Sequence, residues 1–588
     1  MSSQEYPPPV LSTSPKVMIT PTPQLVAIFV VAFVTIWFSK RGRRRSNLGN
    51  LPSPPSAGFF IGHLKYLFNP VKAWDFHQKL MNEYGPVVRV NGKLGEDLLY
   101  TYDPKVLHHV LVKDQPKFER LNLLMSQILF GDGMLSVSGD HHRKQKKALN
   151  PVFSIAHMRE MSQKLQGGLG EKVSNGPQEV DMMAWMSRTA LELIGQSGLG
   201  YSFDPMTNDA TEHTYSKMIK NLIPTFGRLP VLRFYIMRIA RYFGPPGFRR
   251  FLVNITPSKT LHQVRDMCDY MWALSEEIYQ SKKKALAEGD EAVQNQIGRG
   301  KDIISILMKG NLNTDEDQLD EKELIAQYLA YILAQMSTLI FAAMDTTSNA
   351  LSRILQLLST HPEVQDKLRE ELVEARPFGG ELSYDTLVEL PYLDAVCRET
   401  LRLYPPVANL GRIANEDAVL PLSKPIIGRD GNKITEVYIP KGTSVLMSFI
   451  NSNRNPEIWG PDALEWKPER WLSPLPKEVV DAHIPGVYSH LYVLTITKYG
   501  NEEHAADFFS VLFRMTFSAG ARSCIGFKFS QLEMKAVLSM LVSSFKFAPT
   551  KDKIVWHMNG ISVPFVEGNK ERTCLPLVVS MVKQSKEN

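Results

Sequence analysis

Apolar residues recur at helical spacing in two segments that frame the rest of the chain's pattern. The first runs from Glu323 to Ser359, with apolar groups on both sides of a short polar centre. A segment of this length and pattern predicts a helix that crosses the protein interior. The second runs from Lys528 to Leu541 and comes directly after a glycine-rich loop. We therefore expect that loop to lead into a helix N-terminus.

An uncharged apolar run, Leu25–Phe38, stands near the start of the chain, and five basic residues come after it between Lys40 and Arg45. A membrane span needs about 20 residues, a length that the run reaches when it is extended back to Val17 across two prolines. Charge placed after the run is typical of an anchor and not of a cleaved signal peptide, and it favours a cytosolic position for the downstream part of the chain. We predict a disordered lumenal segment over 1–23, a single-pass signal anchor over 24–39 and a basic, proline-rich hinge over 40–56.

The chain has 588 residues, a formal net charge of +6 and four cysteines. The cysteines lack paired spacing, which argues against a disulfide framework or a zinc site and favours a reducing compartment. No internal repeat or low-complexity linker occurs after residue 60, so we predict one large domain over 57–580.

The segment Phe517–Gly526, Phe-Ser-Ala-Gly-Ala-Arg-Ser-Cys-Ile-Gly, carries the strongest chemical signal. Unpaired amides and the helix dipole favour a thiolate at Cys524, and a thiolate is a strong axial ligand for haem iron. An isolated cysteine is more often a buried free thiol, but five fixed identities in ten positions make chance a poor explanation. The segment resembles the haem-binding loop of the cytochrome P450 superfamily.

The resemblance covers roughly Leu51 to Pro576 and is closest to fungal microsomal members. It implies a mainly α fold with minor β, a triangular multihelical domain with a small β-rich lobe. It also implies haem b as the cofactor, with the Cys524 thiolate as the axial ligand of the iron. The remaining cofactor-binding residues that it implies for this loop are Phe517, Gly520, Arg522 and Gly526.

Within the long predicted helix, Phe341–Ser348 contains an acid followed by two threonines. Taken alone, Asp-Thr-Thr is more often a helix kink or cap than a catalytic site. The segment is similar to the oxygen-binding helix of the superfamily, which implies that Asp345 and Thr346 form an acid–alcohol pair delivering protons to dioxygen. The family usually has glycine where this chain has Ala343, which leaves less room in the groove.

Glu399 and Arg402 are three residues apart and share one face of a helix that the next prolines end. This spacing alone is common on solvated helices. The resemblance implies that both residues lock to Arg470 in the later segment Pro468–Trp471. Such a buried network would hold the haem-side geometry rather than add net stability.

The basic segment 139–151 is, without the resemblance, typical of the solvated face of a helix. The resemblance implies that His142 and Lys146 bind a haem propionate, and that Arg412 and Arg522 complete the clamp through charge-assisted hydrogen bonds. Neighbouring basic residues would dock an acidic reductase.

Arginines alternate with aromatic residues over 226–251. No RNA- or DNA-binding motif accompanies them, so we predict no nucleic-acid partner. A surface that rests on lipid headgroups fits the predicted anchor better.

One segment departs from the family pattern. Residues 492–514 separate Leu491 from Met515, where family members run on almost directly, and structureless loops of this length are uncommon. We interpret the segment as a retained intron, with a genuine lineage-specific loop as the alternative. A spliced transcript that contains the segment would exclude the intron.

Together these features predict a haem-thiolate monooxygenase anchored in the endoplasmic reticulum membrane, with its domain facing the cytosol. The predicted partners are NADPH–cytochrome P450 reductase, the lipid bilayer and an apolar small-molecule substrate, by family analogy a terpenoid or similar secondary metabolite. One alternative is a haem-binding protein without monooxygenase activity, if the insertion or Ala343 disturbs the pocket. Another is a thiolate-haem isomerase, against which an intact Asp345–Thr346 pair argues.

Overall fold

The structure is a computed structural model that describes residues 47–481 and 516–582 apart from short gaps. The gaps are 122, 150–154, 208–212, 238–239, 241–243, 290, 293–296, 298–301, 303, 306–307, 309–320, 377–381, 559 and 570–571. The predicted segment 1–23, the predicted anchor 24–39 and the first part of the predicted hinge lie outside the described residues. The insertion at 492–514 lies outside them as well.

Helices dominate the described chain, which confirms the prediction of a mainly α fold with minor β structure. They are α1 (Leu64–Leu67), α2 (Ala73–Tyr84), α3 (Pro104–His108), α4 (Leu123–Phe130), α5 (Gly139–Leu149), α6 (Ile155–Val173), α7 (Met182–Ile194), α8 (Thr214–Gly227), α9 (Pro246–Ile255), α10 (Lys259–Glu288), α11 (Glu321–Thr360), α12 (Pro362–Glu374), α13 (Tyr384–Glu389), α14 (Pro391–Leu403), α15 (Phe449–Asn453), α16 (Pro456–Trp459), α17 (Lys477–Asp481) and α18 (Phe527–Ser544).

The strands of the described residues form four small sheets. They are β1 (Val87–Asn91), β2 (Asp97–Thr101), β3 (Phe118–Arg120), β4 (Gln178–Asp181), β5 (Asn409–Ala414), β6 (Ala418–Ile427), β7 (Lys433–Ile439), β8 (Ser444–Ser448), β9 (Phe545–Pro549), β10 (Ile554–Met558), β11 (Ser562–Val566) and β12 (Pro576–Met581). The largest sheet has the order β1-β2-β8-β5-β3, and the others pair β4-β12-β9, β6-β7 and β10-β11.

Helix α11 is the long interior helix that the apolar pattern predicts, and it extends that prediction by one or two residues at each end. Its C-terminal half buries Leu351, Ile354 and Leu358 in one core with Leu538 of α18. Burying a side chain of this size contributes about 1.5–3 kcal/mol. The shared core fixes the middle of α11 relative to the start of α18, the two places where the chemical motifs lie.

The second half of the predicted hinge is part of the domain. Leu48 and Leu51 are 0 % and 1 % exposed and belong to the core of the largest sheet. The carbonyl of Asn50 accepts from the Arg429 N–H at 2.8 Å, and that of Pro52 accepts from the Arg89 N–H at 2.9 Å. Residues from Leu48 onward therefore pack with the domain, ahead of its predicted start at residue 57.

Among the helices of the described residues, none combines the length and apolarity that crossing a membrane requires. The anchor at 24–39 is not among them and stays a prediction.

Candidate functional site

Cys524 lies in a tight loop that leads into α18. Its N–H donates to the carbonyl of Phe517 at 2.8 Å and closes the loop around a short 3-10 turn at Gly520–Arg522. Gly526 directly precedes the first helical residue, so Cys524 lies close to the unpaired N–H groups of the helix start. The ring of Phe517 packs edge-on against that of Phe527, with centroids 4.9 Å apart. The loop is thus held by its backbone and by the first turn of the next helix.

Gly520 fixes where this loop lies. Its φ is +67°, and a Cβ built on it would lie 2.2 Å from the carbonyl oxygen of Leu111, in the π-helical turn His109–Lys113. A side chain would therefore both strain the backbone and collide with another backbone segment. Gly526 is different, because the nearest atom to a Cβ there would be the Cys524 Sγ, at 3.9 Å.

A cavity of about 1250 Å³ lies between the Cys524 loop and α11. Of the four cysteines, all of which are among the described residues, Cys524 is the one that lines it. Helix α11 contributes Ala342, Ala343 and Thr346 to another part of the wall. Helix packing therefore brings the thiol loop and the threonine motif to one shared space.

Among the basic side chains that line the same cavity, Arg120, His142, Arg412 and Arg522 lie near one another. The three arginines donate to backbone carbonyl oxygens at 3.0, 3.1 and 2.7 Å. Within the described residues none of them forms an ion pair with a carboxylate. A thiol together with unneutralised cations fits haem b, whose iron takes a thiolate and whose two propionates are anionic.

The pKa shifts of these residues also favour a bound anion. Burial, and then the neighbouring arginines, lower the pKa of Arg412 to about 9. Burial and Arg522 lower the pKa of Arg120 to about 10. Burial, then Arg522, Lys146 and Arg120, lower the pKa of His142 to about 4, so this imidazole is neutral at pH 7. An anion beside this cluster would oppose the effect of these cations on the imidazole.

Sequence reasoning missed Arg120. This residue lies on β3, directly opposite Arg412 of β5 in an antiparallel pair. Like charges in directly opposed positions destabilise a sheet, so the pair is favourable when one anion serves both guanidinium groups. No motif marks Arg120, because only the register of two strands that are far apart in sequence places it there.

Lys146 serves the loop rather than the cavity wall. Its Nζ donates to the carbonyls of Ala521 and Ser523 at 3.2 and 3.0 Å and to the Ser523 hydroxyl at 2.9 Å. His142, one turn earlier on α5, faces the cavity. The two residues predicted as one propionate clamp thus divide their contacts between the cavity and the backbone beside Cys524.

The predicted acid–alcohol pair is also divided. Thr346 lines the cavity, and its hydroxyl donates to the Ala342 carbonyl at 2.7 Å. Asp345 is 7 % exposed and does not line the cavity, and its backbone carbonyl accepts from the Asn349 side chain at 2.7 Å. Adjacent residues on a helix point about 100° apart, so a proton passing from Asp345 to Thr346 needs an intermediate carrier.

A second acid, Glu533 of α18, was not identified from the sequence. Burial raises its pKa well above the ordinary range of a carboxyl group, although a hydrogen bond with Thr347 opposes that shift. The Thr347 hydroxyl lies 3.3 Å from that of Ser530, and both residues line the cavity. The signal available in the sequence was an acid on the apolar face of the helix after Cys524.

The structure brings Glu399, Arg402 and Arg470 together. Arg402 binds the Glu399 carboxylate with two hydrogen bonds of 2.8 Å each, and Arg470 Nε approaches it at 3.3 Å. The Trp471 indole and the Lys467 N–H donate to the same carboxylate at 3.0 and 3.1 Å. The Trp471 indole and the Lys467 N–H belong to no charge motif, so the sequence does not identify them as donors to Glu399.

Comparison with known proteins agrees with this geometry. The family model described as Cytochrome P450 matches residues 52–565. The chain is 47% identical to cytochrome P450 monooxygenase 91 of Postia placenta, over 95% of this chain and 99% of the relative. It is 42% identical to the ganoderic acid synthetase of Ganoderma lucidum, over 93% of this chain and 96% of the relative. A monooxygenase of Hericium erinaceus is 35% identical, over 94% and 97%.

Replacing Gly520 with Ala should displace the Cys524 loop, because the new methyl group would meet the Leu111 carbonyl. We expect loss of the thiolate-type absorption of the carbon-monoxide-bound, reduced haem protein and a lower unfolding temperature. Gly167→Ala is the matched control, since nothing lies within 4 Å of a Cβ at that position. A normal spectrum in Gly520→Ala would show that the loop can move without losing the ligand.

Proposed function

The chain belongs to the cytochrome P450 family, and from that premise we propose that it is a membrane-bound monooxygenase that oxidises a terpenoid-type apolar molecule. It is a cytochrome P450 monooxygenase, as are its relatives, and its cofactor is haem b with a cysteine thiolate as axial ligand. The observation that carries the proposal is the position of Cys524 on the cavity that also contains Thr346.

Each part of the cavity wall has a proposed task. When bound, haem supplies the activation of dioxygen, helped by the electron density of the thiolate. Cys524 provides that thiolate, and Arg120, His142, Arg412 and Arg522 hold the propionates. Thr346 holds and transfers protons at its hydroxyl, with Asp345 as their source. This division of labour leaves orientation and proton control to the protein.

The substrate is proposed to be apolar. Phe130 of α4, Leu339 of α11 and Ile561 line the cavity, and His557 stacks on Phe565 with ring centroids 4.3 Å apart. The cavity of about 1250 Å³ would hold haem as well as the substrate, so its apolar lining and not its volume supports this proposal. One relative is named for making ganoderic acid, which supports a terpenoid-type substrate by analogy.

Electrons are proposed to come from NADPH through a separate reductase that binds beside the Cys524 loop. Arg143, Lys144 and Lys147 are exposed on α5, and Lys528 is exposed at the start of α18. Lys146, on the same helix as the first three, donates to the loop carbonyls. A basic surface around the thiolate loop suits an acidic partner, whose association such a surface accelerates.

Membrane contact is proposed for two surface elements besides the anchor. Helix α9 exposes Phe248, Phe251 and Ile255, residues that share one helical face, at 49, 54 and 57 %. Phe60 is 71 % exposed, and its carbonyl accepts from the Tyr235 hydroxyl at 2.6 Å. We propose that these apolar groups enter the headgroup region of the endoplasmic reticulum membrane, with the domain on the cytosolic side.

Cys524→Ser should abolish the thiolate-type spectrum and all oxygenation, because a neutral hydroxyl cannot replace the thiolate as a donor. The measurement is the carbon-monoxide difference spectrum of the reduced protein, together with product formation. Cys268→Ser, a change of the same kind outside the cavity, should leave both unchanged. Retained turnover with the parent spectrum in Cys524→Ser would mean that the ligand is another residue.

Thr346→Ala should leave haem content intact and lower the ratio of product formed to NADPH consumed. The reason is that the hydroxyl through which protons reach dioxygen has been removed. Asp345→Asn should instead slow the whole cycle, by about 10²-fold where general acid catalysis is lost. Thr360→Ala is the matched control, since this hydroxyl also donates to backbone carbonyls of α11 but lies outside the cavity. An unchanged ratio in Thr346→Ala would show that protons reach dioxygen by another route, for which Thr347 and Glu533 are the candidates.

Removing residues 1–46 should convert a membrane protein that resists salt and carbonate extraction into a soluble or weakly attached one. Deleting 1–23 alone is the control and should leave extraction unchanged, because the anchor is kept. Residual attachment of the shorter chain should fall further in Phe248→Ser/Phe251→Ser. If the chain without residues 1–46 still needs detergent for extraction, as the full-length chain does, it contains a membrane element that we have not identified.

A further inference from the structure

A second cavity, of about 410 Å³, lies apart from the haem cavity and has a different chemical character. Three aromatic side chains and two arginines line it: Trp74, Tyr404, Trp556, Arg353 and Arg454. Gln78, Leu403, Leu464 and Ile554 complete the wall. No acidic side chain is among these lining residues. We call this space the arginine–aromatic pocket.

The aromatic rings hold both guanidinium groups in place. The guanidinium carbon of Arg353 lies 3.7 Å from the ring centre of Trp556 and 4.2 Å from that of Tyr404. The guanidinium carbon of Arg454 lies 5.0 Å from the ring centre of Trp74 and 5.1 Å from that of Tyr404. Trp74 and Trp556 are joined by an indole-to-carbonyl hydrogen bond of 2.9 Å. The pocket is therefore built from side chains that restrain one another.

The charges of this pocket are only partly offset. Arg454 donates through two nitrogens to the Leu403 carbonyl at the C-terminal end of α14, where the helix dipole favours a cation. Arg353 donates through Nη1 to Gln356, at 3.2 Å, while its Nε is buried with no hydrogen-bond partner in the described structure. Neither arginine has an ion pair with a carboxylate of the described residues. Burial and Arg454 lower the pKa of Arg353 to about 9 despite the opposing effect of Tyr404.

We propose that the arginine–aromatic pocket binds a small aromatic carboxylate. A carboxylate can accept from a guanidinium group with charge-assisted hydrogen bonds, and an aromatic ring can stack on indole and phenol rings. The volume lies within the range of ligand sites and suits one or two fused rings. Such a ligand would balance the charge of the two guanidinium groups.

A ligand at this site would act on the haem cavity through two shared segments. Trp556 faces the arginine–aromatic pocket, whereas its neighbour His557 on β10 lines the haem cavity, as alternation along a strand dictates. Tyr404 lines the pocket, and Pro406 and Val407 line the haem cavity. We therefore expect binding at one site to change affinity at the other, equally in both directions.

The test uses the full-length, haem-loaded protein in detergent with sodium 2-naphthoate as the probe, measured by isothermal titration calorimetry. We expect one saturable site per chain and much weaker binding of 2-naphthamide, the neutral isostere. This measurement needs no monooxygenase turnover. The pocket can therefore fail to bind the probe while the proposed monooxygenase function holds, and it can bind the probe even if that function is wrong. Absence of saturable binding would mean that the arginines and rings serve packing alone.

Two variants address the site directly. Arg353→Met should weaken binding about tenfold or more, the loss expected when a charged hydrogen-bonding partner is removed. Leu464→Trp, at a rim position that is 51 % exposed, should block the pocket without touching either arginine. Arg265→Met, on α10 and outside the pocket, is the control and should bind as the parent does. Parent-like binding in both site variants would overturn the assignment.

Imidazole distinguishes this site from the haem cavity, because imidazole coordinates the iron of haem proteins and so fills the haem cavity. At increasing imidazole the Kd of 2-naphthoate should shift by a limited factor and then reach a plateau. A Kd that rises in proportion to imidazole without limit would place the probe in the haem cavity and overturn the proposal.

Discussion

The carboxylate of Glu399 is the buried charge around which the haem-side half of the domain is arranged. It is completely inaccessible to solvent, and an ionised carboxylate in that position is stable only when donors surround it. Those donors come from α14 itself and from the segment that ends at Trp471. Arg402 extends the network by donating to the carbonyls of Asn453 and Ala463 at 2.8 and 2.7 Å. Loss of any one partner leaves the other charges uncompensated, which is more destabilising than the net value of the intact network.

The cavity cations show the opposite condition. The guanidinium groups of Arg120, Arg412 and Arg522 find backbone carbonyls but no carboxylate of the described residues, so their charge is balanced only when an anionic group is present. The loop beside them, in contrast, is complete by itself, because Gly520 contacts a backbone turn and Lys146 binds two loop carbonyls. The loop is therefore fixed in position by the protein alone, whereas the charges of the three arginines are balanced only by a bound anion. That combination is what a protein needs in order to bind a dianionic cofactor without reorganising.

Sequence patterns predicted the elements that carry local signals. The apolar period located α11 to within two residues at each end, and the glycine-rich loop located the start of α18. The resemblance identified Glu399, Arg402 and Arg470, which the structure brings into contact. Arg120 and Glu533 escaped because strand register and burial, rather than any motif, give them their positions. The hinge boundary was placed too late in the chain, because the prolines after Leu51 suggested a free linker, whereas Leu48 and Leu51 are core residues.

With the proposed anchor in a bilayer, the burial of Leu48 and Leu51 would limit how far the domain can move from the membrane. With the anchor placed as proposed, only eight peptide steps separate residue 39 from Asn47, the first residue that the structure describes. A fully extended chain of that length reaches about 28 Å. These residues would then form a short tether, which would maintain a high effective concentration of the exposed face of α9 at the lipid surface. Even a weak affinity of Phe248 and Phe251 for lipid would then be enough to set the tilt of the domain, and with it the direction in which the haem cavity opens.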